Sequence, residues 1–378
     1  MSTEVRPVVV VKVGTSTIAS DSGLNGRFLL NLAATAADLF ERNWRLVVVT
    51  SGAVGAGRWR LQVPKPRTIA EKQAAASVGQ GLLMHAYEAM LSPLGIASAQ
   101  LLLTRADLGD RQRYLNARTT LHALLEGPSF VVPIINENDS IATDELKFGD
   151  NDTLSALVAQ LVDARWLVIL TDVAGLYDRH PDEAGAAILA EVPEITPEIE
   201  RLAGGTGSDL GTGGMATKLA AAKIATASGV HVALMSGRRP QTILDVIGGG
   251  RVEGTIFPSR VDHLEARRKW LAFGLPVRGT VVLDAGAAQA IADHGKSLLP
   301  AGIAALEGEF EAGDAVALRD GGGRELARGI VNYGAADLGR IRGRKTTEIE
   351  EVLGFKVSDE VVHRNNMVVL QAHPNPSG

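Results

Sequence analysis

Short apolar runs alternate with longer amphipathic stretches through residues 1–260. VVVVKVG (8–14) precedes RFLLNLAATAADLFERN (27–43), whose apolar residues recur at helical spacing. RLVVVTSG (45–52) precedes EKQAAASVGQGLLMHAYEAMLSPLG (71–95), and IASAQLLLT (96–104) precedes RQRYLNARTTLHALLEG (111–127). FVVPIINEND (130–139) precedes TLSALVAQLVDA (153–164). WLVILTD (166–172), MATKLAAAKIATASG (215–229) and HVALMSG (231–237) complete the series. The β-branched runs predict strands buried on both faces. Strand–helix alternation predicts an α/β fold, a mostly parallel open sheet sandwiched by helices.

The pattern changes after VDHLEARRKWLAFGLPVRG (261–279). Apolar runs shorten and glycine becomes frequent, with turn signals at AGD and DGGG. The expected organisation is a large α/β domain over 1–260, a linker over 261–275 and a small β-rich domain over 276–378.

Composition narrows the function. A hydrophobic content of 46% with a net charge of −5 fits a globular chain and gives no global pull toward nucleic acid or anionic lipid. The chain has no cysteine, which excludes disulfides, thiolate metal sites and a cysteine nucleophile. MSTEVRP lacks the features of a signal peptide, and no run is long enough for a membrane helix, so a cytoplasmic protein is expected.

Lys12 stands inside the first apolar run. A buried lysine needs a partner. Either its ammonium snorkels out of the sheet or it points into a crevice at the carboxyl end of the strand, where an anion binds. Other predicted sheet ends carry polar or glycine-rich segments: TSGAVGAG (50–57), NENDS (136–140) with GDND (149–152), and TD (171–172). LGTGGMATK (210–218) is a glycine loop feeding a helix. Its free N–H groups favour phosphate, although it is not a Walker A loop. Lys218 falls in the first helical turn, where a cation opposes the macrodipole unless an anion binds. An exposed surface lysine is the alternative. In SGAVGAG the glycines serve either a ligand or a tight turn with close helix–sheet packing. Asp139, Asp150 and Asp152 are turn or cap residues, or acceptors for an ammonium. No zinc pattern and no G-x-S-x-G elbow is present.

The ordered set KVGTST, VVVTSGAVGAG, VVPIINENDS, FGDNDTLSALVA, LTDVAGLYD and GTGGMATK resembles the amino acid kinase family. Within it, the closest likeness is to members that phosphorylate L-glutamate on its γ-carboxylate, the first step of proline biosynthesis. The tail resembles a PUA domain. The resemblance implies ATP and Mg²⁺ as cofactors, with Lys12, Lys218 and Asp152 as the catalytic group. It implies substrate contacts from Ser51, Gly52, Asp139 and Asn151. Lys12, Gly14, Thr171, Asp172, Thr212, Gly213, Gly214, Met215, Ala216, Thr217 and Lys218 would contact the nucleotide. Feedback inhibition by proline and a homo-dimer or homo-tetramer are further implications, with no membrane partner.

Two alternatives stay open. A sister kinase acting on acetylglutamate, aspartate, carbamate or a nucleotide monophosphate would share the sheet. An RNA-binding role would follow from the tail, because PUA domains elsewhere bind RNA. The tail carries more acidic than basic residues, and its local basic cluster (Arg340, Arg342, Arg344, Lys345) fits a solvated face better than an RNA surface.

Overall fold

The computed structural model describes residues 6–20, 23–141, 151–203, 214–250, 252–260 and 277–370. The chain divides into two compact units, 1–263 and 264–378. The expected linker, 261–275, lies outside the described residues.

The first unit is built on β1 (Val8–Val13), α1 (Gly26–Glu41), β2 (Arg45–Thr50), α2 (Ala53–Leu61) and α3 (Ile69–Leu91). They are followed by β3 (Ala97–Leu103), α4 (Arg111–Glu126), β4 (Val131–Glu137), α5 (Asn151–Leu161) and β5 (Trp166–Thr171). The last elements are α6 (Met215–Ala227), β6 (His231–Ser236) and β7 (Gly254–Phe257). Among the described residues these strands form one sheet of order β3-β4-β2-β1-β5-β6-β7. All neighbouring pairs are parallel except β6 and β7. The antiparallel edge strand β7 is an addition to the expected series.

Every residue of β1 is buried. Alternate side chains feed two cores. Val8 and Val10 pack with Val47, Val49 and residues of α4, α5 and α6. Val9, Val11 and Val13 pack with Leu46, Val48 and residues of α1 and α3. Burial on both faces explains why these strands read as continuous apolar runs. The sheet grows outward from β1 in one direction and then, from β5, in the other. That reversal opens a crevice at the carboxyl ends of β1 and β5.

SGAVGAG departs from the turn-and-sheet reading. Gly52 does form the turn, with φ +100°, but the next residues enter α2. Gly57 serves helix–helix packing instead of helix–sheet packing. A Cβ on Gly57 would stand 1.8 Å from the Ala75 carbonyl oxygen of α3. One on Gly79 would stand 1.7 Å from the Ala53 carbonyl oxygen of α2. The two backbones touch where a side chain would normally intervene.

The second unit is β-rich. Its strands are β8 (Val277–Leu283), β9 (Ile303–Glu307), β10 (Ala315–Arg319), β11 (Glu325–Ile330) and β12 (Met367–Val369), in the order β9-β8-β10-β11-β12. A helix, α7 (Ala285–His294), is capped by Asp284, which accepts from Ala287 N–H at 2.7 Å. Tyr333 lies in the core of this unit, and its hydroxyl accepts from Val357 and Ser358 N–H at 3.1 and 2.9 Å.

Candidate active site

Lys12 does not snorkel. It is 5% exposed and points with Val8 and Val10 toward α5 and α6. Asp152, in the first turn of α5, is fully buried and receives it: Lys12 Nζ lies 2.6 Å from Asp152 Oδ1. Lys218, in the first turn of α6, approaches the other oxygen at 3.2 Å. It too is 5% exposed, which excludes the surface-lysine reading. Thr217 Oγ1 donates to Asp152 Oδ2 at 2.9 Å. Asp152 therefore holds two lysines and is not the cap of its helix.

The electrostatics follow from this geometry. Burial works to raise the Asp152 pKa, but the charges of Lys12 and Lys218, with hydrogen bonds from Lys12 and Thr217, hold it below the usual carboxylate value. Two ammonium groups and one carboxylate leave a net positive charge in a water-poor crevice. α6 is preceded by Gly214, which has no side chain with which to cap it; a helix start favours an anion through its first N–H groups. Gly14 ends β1 beside the lysine: a Cβ there would stand 3.7 Å from Lys12 Nζ.

Around the triad sits a network of amides. Asn151 Nδ2, with two hydrogens to give, lies within hydrogen-bond distance of Thr50 O at 2.7 Å, Ser51 Oγ at 2.9 Å and Asn136 Oδ1 at 2.9 Å. Gly52 adjoins this group through its left-handed turn. Asp139 does not share in it. Its Oδ1 lies 3.7 Å from Lys72 Nζ on α3. Thr171 is buried at the end of β5, and its hydroxyl donates to Asp172 Oδ1 at 2.9 Å. Met215 and Ala216 open α6 beside Lys218. Thr212, Gly213 and Asp150 lie outside the described residues.

Residues of α3 contribute where the sequence reading found nothing. Lys72 meets Asp139, Ser77 Oγ lies 3.0 Å from Ser140 Oγ, and Gln80 accepts from Asn136 Nδ2 at 2.9 Å. Tyr87 and Thr50 share a buried hydroxyl contact at 2.9 Å, and burial pushes the Tyr87 phenol well up. The available signal was a set of polar side chains on one face of a helix otherwise made of small and apolar residues.

The chain belongs to the amino acid kinase family, a family of phosphotransferases. The amino acid kinase family profile matches residues 7–236, and the PUA domain profile matches 279–353. Glutamate 5-kinase of Moorella thermoacetica is 53% identical over 96% of this chain and 96% of that one. Glutamate 5-kinase of Citrifermentans bemidjiense is 47% identical over 96% of this chain and 97% of that one. Among solved structures, carbamate kinase from Giardia lamblia bound to AMP-PNP aligns with a TM-score of 0.48 at 16% identity, covering 67% of this chain and 98% of that one.

Proposed function

We propose that the protein phosphorylates the γ-carboxylate of L-glutamate with ATP, giving γ-glutamyl phosphate for proline biosynthesis. The observation that carries this reading is the buried Lys12–Asp152–Lys218 group with its net positive charge. The names and near-complete coverage of the relatives support glutamate as acceptor.

A carboxylate is already ionised at neutral pH, so no general base is needed. One of its oxygens attacks the γ-phosphorus of ATP, the bond to the bridging oxygen breaks and ADP leaves. Repulsion between two anions is the main barrier, and alignment and positive charge lower it. Lys12 faces the transferring phosphoryl group, and Lys218 with the Gly214–Thr217 helix start faces the nucleotide phosphates. Asp152 holds both lysines in place without cancelling both charges. Thr171 and Asp172 face the nucleotide from the end of β5, and Gly14 keeps the space beside Lys12 clear. Ser51, Gly52, Asn151 and Asp139 border the acceptor.

Magnesium enters as part of the Mg–ATP substrate. Among the described residues no three His, Asp or Glu side chains converge as a cation site of their own. The kinase domain corresponds to 1–260 and the PUA domain to 276–378. No helix among the described residues is long and apolar enough to cross a membrane. A cytoplasmic homo-oligomer inhibited by proline at or near the glutamate pocket completes this reading.

The test is product trapping. With ATP, Mg²⁺, L-glutamate and hydroxylamine the protein forms γ-glutamyl hydroxamate, and it forms no hydroxamate from aspartate or acetylglutamate. ADP release with another acceptor alone would move the substrate to a sister kinase.

A further inference from the structure

The amide network beside the lysine triad has a fixed direction. Glu137 N–H donates to Asn136 Oδ1 at 2.9 Å, and a backbone N–H can only donate. That identifies the Asn136 oxygen and leaves its Nδ2 to donate to Gln80 Oε1. The Gln80 amide is therefore oriented too, with its Nε2 turned away from Asn136. At the other end, Thr50 O can only accept, so Asn151 meets it through Nδ2 and turns Oδ1 elsewhere. Amide orientation usually has to be inferred from such partners, and here both ends are anchored on backbone.

Two atoms come out unmatched. Gln80 Nε2 and Asn151 Oδ1 are buried, and among the described residues neither has a hydrogen-bond partner. Native proteins leave few buried polar atoms in that state. One is a donor and the other an acceptor, separated by the single side chain of Asn136. An α-amino acid offers the complement on one carbon: a carboxylate that accepts and an ammonium that donates. The geometry points to Gln80 as a specificity-determining residue, its Nε2 donating to the substrate α-carboxylate while Asn151 Oδ1 accepts from the α-ammonium.

This inference rests on the glutamate reading above and adds to it a residue of α3. The same helix face supports the assignment. Lys72, about two turns before Gln80, pairs with Asp139 at 3.7 Å, so this face of α3 meets the strand-end segment that carries Asn136 at more than one point. Packing of Gly57 and Gly79 brings α3 to this depth, one residue before Gln80.

The test couples a change in the protein to a change in the substrate. Gln80→Met removes the donor with little change of volume. Gln80→Glu keeps an acceptor for Asn136 but replaces the donor with a negative charge. KM for glutamate is expected to rise about 10-fold in Gln80→Met and about 10²-fold in Gln80→Glu, with KM for ATP unchanged. The preference for glutamate over 4-aminobutanoate, which lacks the α-carboxylate, should shrink by the same factor in Gln80→Met. Equal losses on both substrates would reduce Gln80 to a structural role and overturn the inference. A measurement on the unaltered protein guards against misfolded variants: the α-methyl ester of glutamate should show KM raised about 10²-fold. An unchanged KM for the ester also overturns it. Absence of any glutamate phosphorylation by the unaltered protein would instead remove the glutamate reading, and this inference with it.

Discussion

Lys12 and Asp152 meet at 2.6 Å, from the centre of a sheet and the start of a helix, with almost no access to water. Lys218 shares the same carboxylate. Asp152→Asn would leave two buried ammonium groups facing each other. Breaking a buried pair in this way costs about 3–5 kcal/mol. Denaturant unfolding should show that loss. ATP should then raise Tm more in Asp152→Asn than in the parent, because its phosphates replace the missing anion. Equal shifts in both proteins would place the phosphates away from the lysines.

Lys12→Ala should fold, since Asp152 keeps Lys218. The expected effect is a fall in kcat of roughly 10²–10³, the scale for deleting one preorganised donor at a developing charge. KM for the acceptor should move little. Steady-state kinetics with ATP saturating decides it, and near-normal turnover would remove Lys12 from the phosphoryl-transfer site.

Gly79 and Gly81 lie in the same helix and should respond in opposite directions. A methyl group at Gly79 collides with Ala53 O, whereas nothing lies within 4 Å of one at Gly81. Gly79→Ala should destabilise by about 1–3 kcal/mol or more through overpacking against backbone. Gly81→Ala should stabilise by about 0.5–1 kcal/mol through helix propensity. Paired thermal melts test both, and a neutral Gly79→Ala would show that the helices part without strain.

His231 gives the fold a mild acid sensitivity. Burial, and then the nearby charge of Arg165, lower its pKa from the ordinary 6.5. Its Nδ1 accepts from Ser259 N–H at 3.1 Å, which requires the unprotonated atom. Below 6.5 the unfolded chain takes up a proton that the folded chain resists. Stability is therefore fully present above that value and declines as pH falls through the lowered one. His231→Gln should flatten the decline that sets in below pH 6.5. An unchanged slope would assign the acid sensitivity to other groups.

In the second unit, Tyr333→Phe deletes the acceptor for two N–H groups, of Val357 and Ser358. The expected cost is about 0.5–1.5 kcal/mol, the net worth of a hydrogen bond whose donors water can partly re-solvate. It should appear in unfolding of the full chain with kinase activity retained at permissive temperature.

The parallel strands were legible because burial on both faces forces unbroken β-branched runs, as in Val8–Val13 and Trp166–Thr171. β7 was not: its four residues GTIF follow a glycine run and carry no period of their own. α2 was hidden for a different reason. Its glycines look like turn residues locally, and their purpose appears only against Ala75 and Gly79 of another helix. The same limit applied to the site. Lys12, Asp152 and Lys218 each stood out in the sequence, and the structure brings them together. Gln80 and Lys72 did not stand out, because polar residues on a helix ordinarily face water. Only the long-range contacts of Asn136 and Asp139 reveal what they serve.

The backbone contact between Gly57 and Gly79 has a mechanical consequence. Where side chains separate two helices, rotamer changes let the gap widen or narrow by small steps. Here no rotamer exists at the contact, so α2 and α3 move as one double-width plate. The turn at Gly52 and the amide of Gln80 are mounted on that plate. The span between them is thus set by main-chain atoms in contact, a fixed gauge that side-chain motion cannot reset.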